Sequence, residues 1–536
     1  MTDVRVSQVV VEVLRLNTAP NLRASQVTAE VLRIKRPAAL VSQVTAEVIR
    51  RDKTGFEVAI DTSASVRCIL AELKVRSGGA ETTRYISSRP YVDSVAGRVY
   101  LPVLRASSVQ LVERLSIDGT STINFGDIEA DNTSGELDGW FNDIWSSRAV
   151  TVLSGDVRWP RANFNVIFNG VIEDIGSKAR DTVNFALRDK LQRLNTTVSD
   201  TKLGGSTSNK NELIPLCFGE CFNVSPLLTN PATLEYQVHN GGIESIIEVR
   251  DNGVPVTKTA TLGTGKFTLA ATPAGKVTAS VQGSKGASYQ NNVRQIVQML
   301  VTNYGTPVSN RFVGADLDTF NLDEFETANQ QPIGVYLDGR ENLLTVCSEI
   351  AGSVGAQLVM SREGRLQLIK VDIPVASEYD ITADDIINGT LAISEKVPVV
   401  GAFKLGFDKN YTVQTGLLTG IPAAHKSLYA QEWLTVTSSD ATVKTNYRQN
   451  EEPQQRDTFL LTTTDATDEA DRLLALFSVP RFVVSFESPA SMMFLRLGDA
   501  VTIYHDRFGL DAGRIGMIIG LSLDWDKHIV KVEVLI

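Results

Sequence analysis

From about Phe56 onward one pattern recurs along the chain: short runs in which apolar and polar side chains alternate, each closed by a turn signal. Arg98-Val99-Tyr100-Leu101-Pro102-Val103, Val150-Thr151-Val152-Leu153, Asn165-Val166-Ile167-Phe168 and Val183-Asn184-Phe185-Ala186-Leu187 are examples. A period of two sends successive side chains to opposite faces, which is the signature of half-buried strands. Asp138-Gly139, Asn169-Gly170 and Asn252-Gly253 are predicted to reverse the chain, since these pairs tolerate the left-handed backbone of tight turns. The expected fold class is mainly β with a few α-helices, multidomain, in barrel- and sandwich-like units rather than parallel α/β layers.

Three helices interrupt this pattern. One is expected after Ser288 as N-cap, with Val293, Ile296, Val297, Leu300 and Val301 on one stripe and Gly305 ending it. A second is expected from Asp338, with Glu341 completing a capping box and Leu343, Leu344, Val346, Cys347 and Ile350 turned inward. It leads into a hairpin, Gln357 to Met360 and back from Leu366 to Ile369, turning at Glu363-Gly364. A third is expected after Thr467, with Leu473, Leu474, Leu476 and Phe477 apolar.

The first fifty residues carry a repeat. Ser7-Gln8-Val9-Val10-Val11-Glu12-Val13-Leu14-Arg15 returns at Ser25 and again at Ser42, with offsets of 18 and 17 residues. Alternation of Val27, Ala29 and Val31 with Gln26, Thr28 and Glu30 favours a strand. A helix, with Ser25 as N-cap and Val27 and Val31 paired, stays open as the weaker reading. Three such short units cannot build a core alone, so they are expected to lean on the body or on neighbouring subunits. A chain of 536 residues exceeds one core. The expected blocks are 1–52 (an N-terminal arm with the repeats), 53–205 (a first β-barrel), 206–310 (a β-rich insertion ending in a helix), 311–390 (α+β) and 391–536 (a second, similar β domain).

Composition narrows function mainly by exclusion. A net charge of −10 with scattered Lys and Arg argues against specific nucleic-acid binding. An acidic surface still suits a conduit along which DNA slides without sticking. No apolar run is long enough for a membrane span. Met1-Thr2-Asp3-Val4-Arg5 does not open a secretory signal, so synthesis in a cytoplasm is expected. The four cysteines, Cys68, Cys217, Cys221 and Cys347, lack paired metal-ligand spacing and are expected to be buried free thiols. No cofactor or metal is expected.

No catalytic constellation is visible, and the chain is not expected to be an enzyme. His239, His425, His505 and His528 stand apart from one another, and no G-x-S-x-G elbow accompanies them. In Gly263-Thr264-Gly265-Lys266-Phe267 the spacing and Phe267 both break the phosphate-loop pattern, so a β-turn is expected. The acidic run from Gly126 to Asn132 lacks the glycine and distal glutamate of a calcium loop and is expected to be a polar strand edge. Trp140, Phe141 and Trp145 lie close together. They are expected to anchor a core or an interface, the alternative being a sugar-stacking platform.

Several blocks together resemble the hub or tail-tip proteins of tailed bacteriophages. They are Gly126 to Asn132 with Gly135-Glu136-Leu137-Asp138-Gly139-Trp140, then Val150 to Gly155, and Phe168-Asn169-Gly170-Val171-Ile172-Glu173, which is similar to a barrel strand closing on an F-x-G-x-I turn. Pro215 to Pro226, with Tyr236-Gln237-Val238-His239 and Val249 to Val256, resembles long-tailed-phage tail proteins. Leu497-Gly498-Asp499-Ala500-Val501-Thr502-Ile503 and Val530 to Leu535 are similar to a closing barrel pair of hubs, and the repeat resembles N-terminal arms of tail proteins. The resemblance implies a non-enzymatic virion component: a homotrimeric baseplate-hub ring at the distal end of the tail tube, with paired barrels in pseudo-sixfold arrangement. It implies tail-tube or distal-tail, tape-measure and tip-fibre or spike proteins as partners, and a passage for DNA at genome ejection. The alternative function is a receptor-binding tail protein that recognises a host surface glycan. The triple repeat and the 206–310 block depart from simple hubs.

Overall fold

The computed structural model describes residues 65–117, 125–418 and 420–536; the repeats lie outside them. No helix among the described residues is long and apolar enough to cross a membrane.

The first sheet orders its six strands Ala80–Ser87, Arg67–Ser77, Arg148–Asp156, Asn165–Gly176, Thr182–Arg188 and Phe125–Asp131. Residues 101–105 join its two edges. Ser87 N donates to Leu101 O at 2.7 Å, while Asp131 N donates to Val103 O at 2.7 Å and Arg105 N to Glu129 O at 2.8 Å. The sheet therefore curls into a barrel that this segment bridges at one end.

A second sheet runs Tyr379–Ile381, Ala500–Ile503, Arg514–Asp524, Ile529–Leu535, Arg481–Pro489 and Ala392–Val397. The stretch 379–397 supplies both of its flanking strands, which do not pair with each other, so this second barrel stays open between them; Gln110–Arg114, from the first barrel's part of the chain, pairs with Arg514–Asp524.

One element order appears in both. Phe125–Asp131, a 3₁₀ turn at Asp138–Asn142, and a three-strand meander whose last strand returns to pair with the first make up the larger part of barrel one. Arg481–Pro489, a 3₁₀ turn at Ala490–Met492, and a three-strand meander whose last strand pairs with the first make up the second. The middle strand of each meander is the long one, at 12 and 11 residues. Alternation explains why both units bury one face: Val150, Ile172 and Phe185 from one, and Phe486, Val501 and Val532 from the other, belong to a single hydrophobic core. Blocks 53–205 and 391–536 thus share a core that the linear sequence separates by some two hundred residues.

Between the two barrels the chain builds two further layers. A five-stranded sheet containing Leu216–Val224, Ile243–Asp251 and Val277–Ser284 faces a four-stranded one containing Glu235–Gln237 and Lys266–Leu269, around Val224, Phe267 and Val281. The helices Val293–Asn303, Thr319–Ala328 and Leu343–Gly352 pack with the hairpin Ala356–Met360/Leu366–Lys370. The first of these helices shares that core rather than closing the sandwich. A three-stranded sheet, Leu434–Ser439, Ala402–Phe407 and Gln455–Asp457, lies under the helix Thr463–Phe477 and joins Met517, Ile519 and Leu535 of the second barrel.

The helix stripes are buried as their periodicity predicts except for the half-buried Leu344 and Leu474, but the caps differ. Asn292, not Ser288, caps the first expected helix, accepting from Gln295 N at 3.0 Å. Asn342, not Asp338, caps the second, accepting from Thr345 N at 3.2 Å, while Glu341 turns back to Gly339 N. Thr462 caps the third, five residues before the Thr467 after which the helix is expected, accepting from Asp465 N at 3.0 Å. In each case a side chain closer to the first buried turn reaches the free N–H groups. The turn expected at Asn169-Gly170 is not one: both residues lie inside Asn165–Gly176. Glycine is needed there because a Cβ on Gly170 would stand 2.2 Å from Arg188 O on the neighbouring strand. Asp138-Gly139 begins a 3₁₀ turn. Asn252-Gly253 does reverse the chain, with φ of 47° and 84°.

Candidate functional site

Trp140 and Trp145 are 6% and 2% exposed and pack against Phe185, tilted and edge-on, with ring centroids 6.1 and 5.2 Å away. Trp145 Nε1 donates to Trp140 O at 2.8 Å, so the 3₁₀ turn that carries Trp140 is tied to the barrel by the indole five residues on. Phe141 points the other way and is exposed. Trp140 and Trp145 are thus buried and Phe141 is not, and neither indole face is presented for stacking on a sugar.

The other sequence candidates separate in the same way. Gly263-Thr264-Gly265 forms a 3₁₀ turn ending at Gly265 with φ of 64°, and Lys266 pairs with Glu235 at 2.9 Å on a strand. The acidic run lies in an edge strand, with Glu129 and Asp131 on Arg105 and Asp127 on Lys178. All four cysteines are buried and free. Burial pushes the thiols of Cys68, Cys221 and Cys347 up, away from reactive thiolate character. Among the described residues no group of three His, Cys, Asp or Glu side chains could hold a metal ion. His239 is buried, accepts from Cys217 N at 3.0 Å, and burial pushes it down to about 4.

The surface that stands out was not singled out by sequence. Tyr91–Val92 pairs with Val99–Tyr100 in a short hairpin that leaves the first barrel. Its inner face is built from rings: Tyr91 meets Tyr100 at 5.4 Å and Phe164 at 5.2 Å, each edge-on. Tyr100 Oη donates to Glu72 at 2.6 Å, Arg161 holds Glu72 through two hydrogen bonds of 2.9 Å, and Tyr91 Oη donates to Trp159 O at 2.9 Å. The hydrogen bonds to Arg161 and Tyr100 outweigh burial and hold the Glu72 carboxyl below its ordinary range. On this stiff footing the outer face presents Val92, Val95 and Val99 at 57%, 84% and 62% exposure. Period-two spacing puts Val92 and Val99 opposite the tyrosines, and Val95 lies in the turn between the strands. The alternation at Arg98 to Val103 signals the strand, but not which face is left uncovered.

A second feature holds the barrels in register. The tip of the hairpin 356–370 inserts between them. Arg362 pairs with Glu113 through bonds of 2.8 and 3.1 Å and donates to Met493 O and Leu495 O. Next to it, Glu363 takes two hydrogen bonds from Arg496 at 3.0 and 2.7 Å, and its carbonyl accepts from Asn169 of the first barrel. Burial alone would raise Glu363, but the Arg496 guanidinium holds it down at about 2. Asp499, buried beside the same arginine, is pushed up to about 6.

Neither a protein-family model nor a curated protein sequence matches this chain. Among solved structures it is similar to a tail protein from Neisseria meningitidis MC58, with a TM-score of 0.37 and 9% identity, covering 88% of this chain and 97% of that one. It is also similar to a 43 kDa tail protein of prophage MuSo2 from Shewanella oneidensis, with a TM-score of 0.37 and 10% identity over 87% and 98% of the two chains. A third is prophage tail protein gp18 from Listeria monocytogenes EGD-e, with a TM-score of 0.39 and 9% identity over 87% and 94%. All three TM-scores fall below 0.5.

Proposed function

We propose that this chain is a structural component of a bacteriophage tail tip, a baseplate hub whose copies form a ring joining the tail tube to the tip. The observation that carries this reading is the doubled barrel: one element order occurs twice around one core and is locked by the Arg362 and Glu363 contacts. A chain with two similar units can meet a sixfold neighbour with three copies and a threefold neighbour with the same three. Heterologous contacts between the first barrel of one copy and the second of the next would close such a ring. The exposed valine hairpin gives the first barrel an apolar surface in search of cover, and an acidic ring interior would let DNA pass without adhering. The proposed partners are the tail-tube or distal-tail protein, the tape-measure protein and tip fibres or spike, in a virion tail assembled in the host cytoplasm. A glycan-binding reading has less support, since two of its three aromatic rings lie in the core. The test is electron microscopy of virions carrying a labelled copy of this chain: label at the distal tail tip is expected, and label on the capsid, or its absence from virions, contradicts the reading.

A further inference from the structure

The second barrel is one strand short of the first. In the first, Ala80–Ser87 stands between Arg67–Ser77 and residues 101–105, which bond on to Phe125–Asp131. In the second, Tyr379–Ile381 pairs with Ala500–Ile503, and Ala392–Val397 with Arg481–Pro489. No strand among the described residues lies between these two flanks. The link 382–391 joins them with Ile386 in the core. Beyond it Ala392–Val397 pairs only with Arg481–Pro489 among the described residues, and residues 392–396 are exposed. Such an open edge is a template for another strand.

The two faces of this edge differ. Glu395 and Val397 border a cavity of about 510 Å³ whose other walls include Leu115, Val400, Phe403 and Phe477. Lys396, between them in the strand, belongs to the opposite face, is exposed and makes no ion pair with a described residue. The repeat Ser42-Gln43-Val44-Thr45-Ala46-Glu47-Val48-Ile49-Arg50 divides in a complementary way. Val44, Ala46 and Val48 fall on one face and Glu47 on the other. Glutamate recurs at this place in every repeat, as Glu12, Glu30 and Glu47. Residues 51–64 separate this repeat from Ser65, and a link of that length reaches about 45 Å when extended. Ser65 lines a cavity with Trp525 and Asp526, in the turn before Ile529, and Ile529 pairs with Pro489 of the strand that carries Ala392–Val397 on its other side. The arm therefore meets the described chain at the second barrel, within reach of the open edge.

We propose that residues 42–50 add to Ala392–Val397 of their own chain as a further strand, with Val44, Ala46 and Val48 on the cavity side and Glu47 facing Lys396. Backbone hydrogen bonds hold the added strand, and its two unlike faces fix the register, because a slip by one residue turns the valines to water and Glu47 to the apolar cavity. The short tether keeps this repeat concentrated at its own edge. Residues 7–15 and 25–33 divide in the same way and stand on longer tethers. The inference does not rest on the tail reading, since it concerns one chain and no assembly.

Hydrogen exchange of the full chain, read by mass spectrometry, tests it. Val10→Pro, Thr28→Pro and Thr45→Pro together block strand addition by all three repeats, and all lie outside the described residues. The amides of 392–397 not bonded to Arg481–Pro489 are expected to exchange about tenfold or more faster in this variant than in the parent, with Ala80–Ser87 unchanged as reference. Lys396→Glu should speed the same amides, and adding Glu12→Lys, Glu30→Lys and Glu47→Lys should restore their protection. Equal exchange at 392–397 in the parent and the proline variant overturns the proposal. So does protection that ignores Lys396→Glu or that the charge swap fails to restore. Glu47→Cys with Lys396→Cys, oxidised in the full chain, reports which copy supplies the strand, the native cysteines being buried. A link within one chain is expected; a link joining two chains, or none, overturns the assignment to the same chain.

Discussion

The two barrels follow the same element order around the same core, and they differ in what covers them. In the first, the loop between Arg148–Asp156 and Asn165–Gly176 is roofed by the hairpin 91–100, which buries Tyr91, Tyr100 and Phe164 together. In the second, the corresponding loop between Ala500–Ile503 and Arg514–Asp524 has no such roof among the described residues, and Tyr504 and Phe508 are exposed. The repeated part answers to physics common to any closed meander: alternation, one buried face, a bulged central strand. The unmatched part is added by one copy alone, which makes it the place to look for what distinguishes the two ends of a heterologous contact.

The largest effects should come from the shared core. Phe185→Ala and Phe486→Ala each remove a fully buried ring from the same cluster and are each expected to cost about 3–5 kcal/mol. Calorimetry should show both barrels melting in one transition in the parent and in each variant. Two separated transitions would mean that the barrels are independent domains. Next comes the wedge. In the Arg362–Glu113 pair the side chains are 9% and 14% exposed, and Arg362→Ala leaves Glu113 without its cation, at a cost of roughly 3 kcal/mol by denaturant titration.

A smaller, pH-dependent contrast lies in the same wedge. Asp499 has a folded pKa of about 6, above its ordinary 3.8, so the folded state holds that proton more tightly. Its contribution favours folding at low pH and is lost as pH rises from about 4 to about 6. Glu363 is the reverse. Its folded value of about 2 lies below 4.5, so its contribution is present above 4.5 and is lost as pH falls toward 2. Asp499→Asn should therefore raise stability at pH 7, by on the order of 2 kcal/mol, and flatten the profile between pH 4 and 6. Glu363→Gln should lower stability at pH 7 and flatten the profile below 4.5. Equal profiles for both variants would remove the assignment of these two carboxyls.

The smallest effect on stability is expected at the hairpin. Val92→Asp with Val99→Asp changes exposed positions, so melting should shift by no more than about 0.5 kcal/mol per site. The same pair should abolish self-association in sedimentation velocity. A changed melting point with intact association would assign these valines to folding instead.

Strand content and the buried stripes Val293 to Val301 and Leu343 to Ile350 were legible in the sequence, because periodicity reports which side of an element is covered. The caps were misread because Ser288 and Asp338 have the right chemistry, whereas Asn292 and Asn342 are the ones placed next to the first buried turn. Asn169-Gly170 has the composition of a turn, but the glycine answers to a neighbouring backbone at Arg188, a contact only the folded chain reveals. The helix Thr319–Ala328 was missed because its buried side is thin, with Leu322 and Phe325 the buried residues.

Mass photometry of the purified full chain tests the central claim most directly, because a ring of paired barrels requires self-association. The account predicts a population at three times the 58.4 kDa chain mass, reduced to single chains by Val92→Asp with Val99→Asp. Single chains alone at micromolar concentration, both for the parent and after mixing with a tail-tube partner, would contradict it.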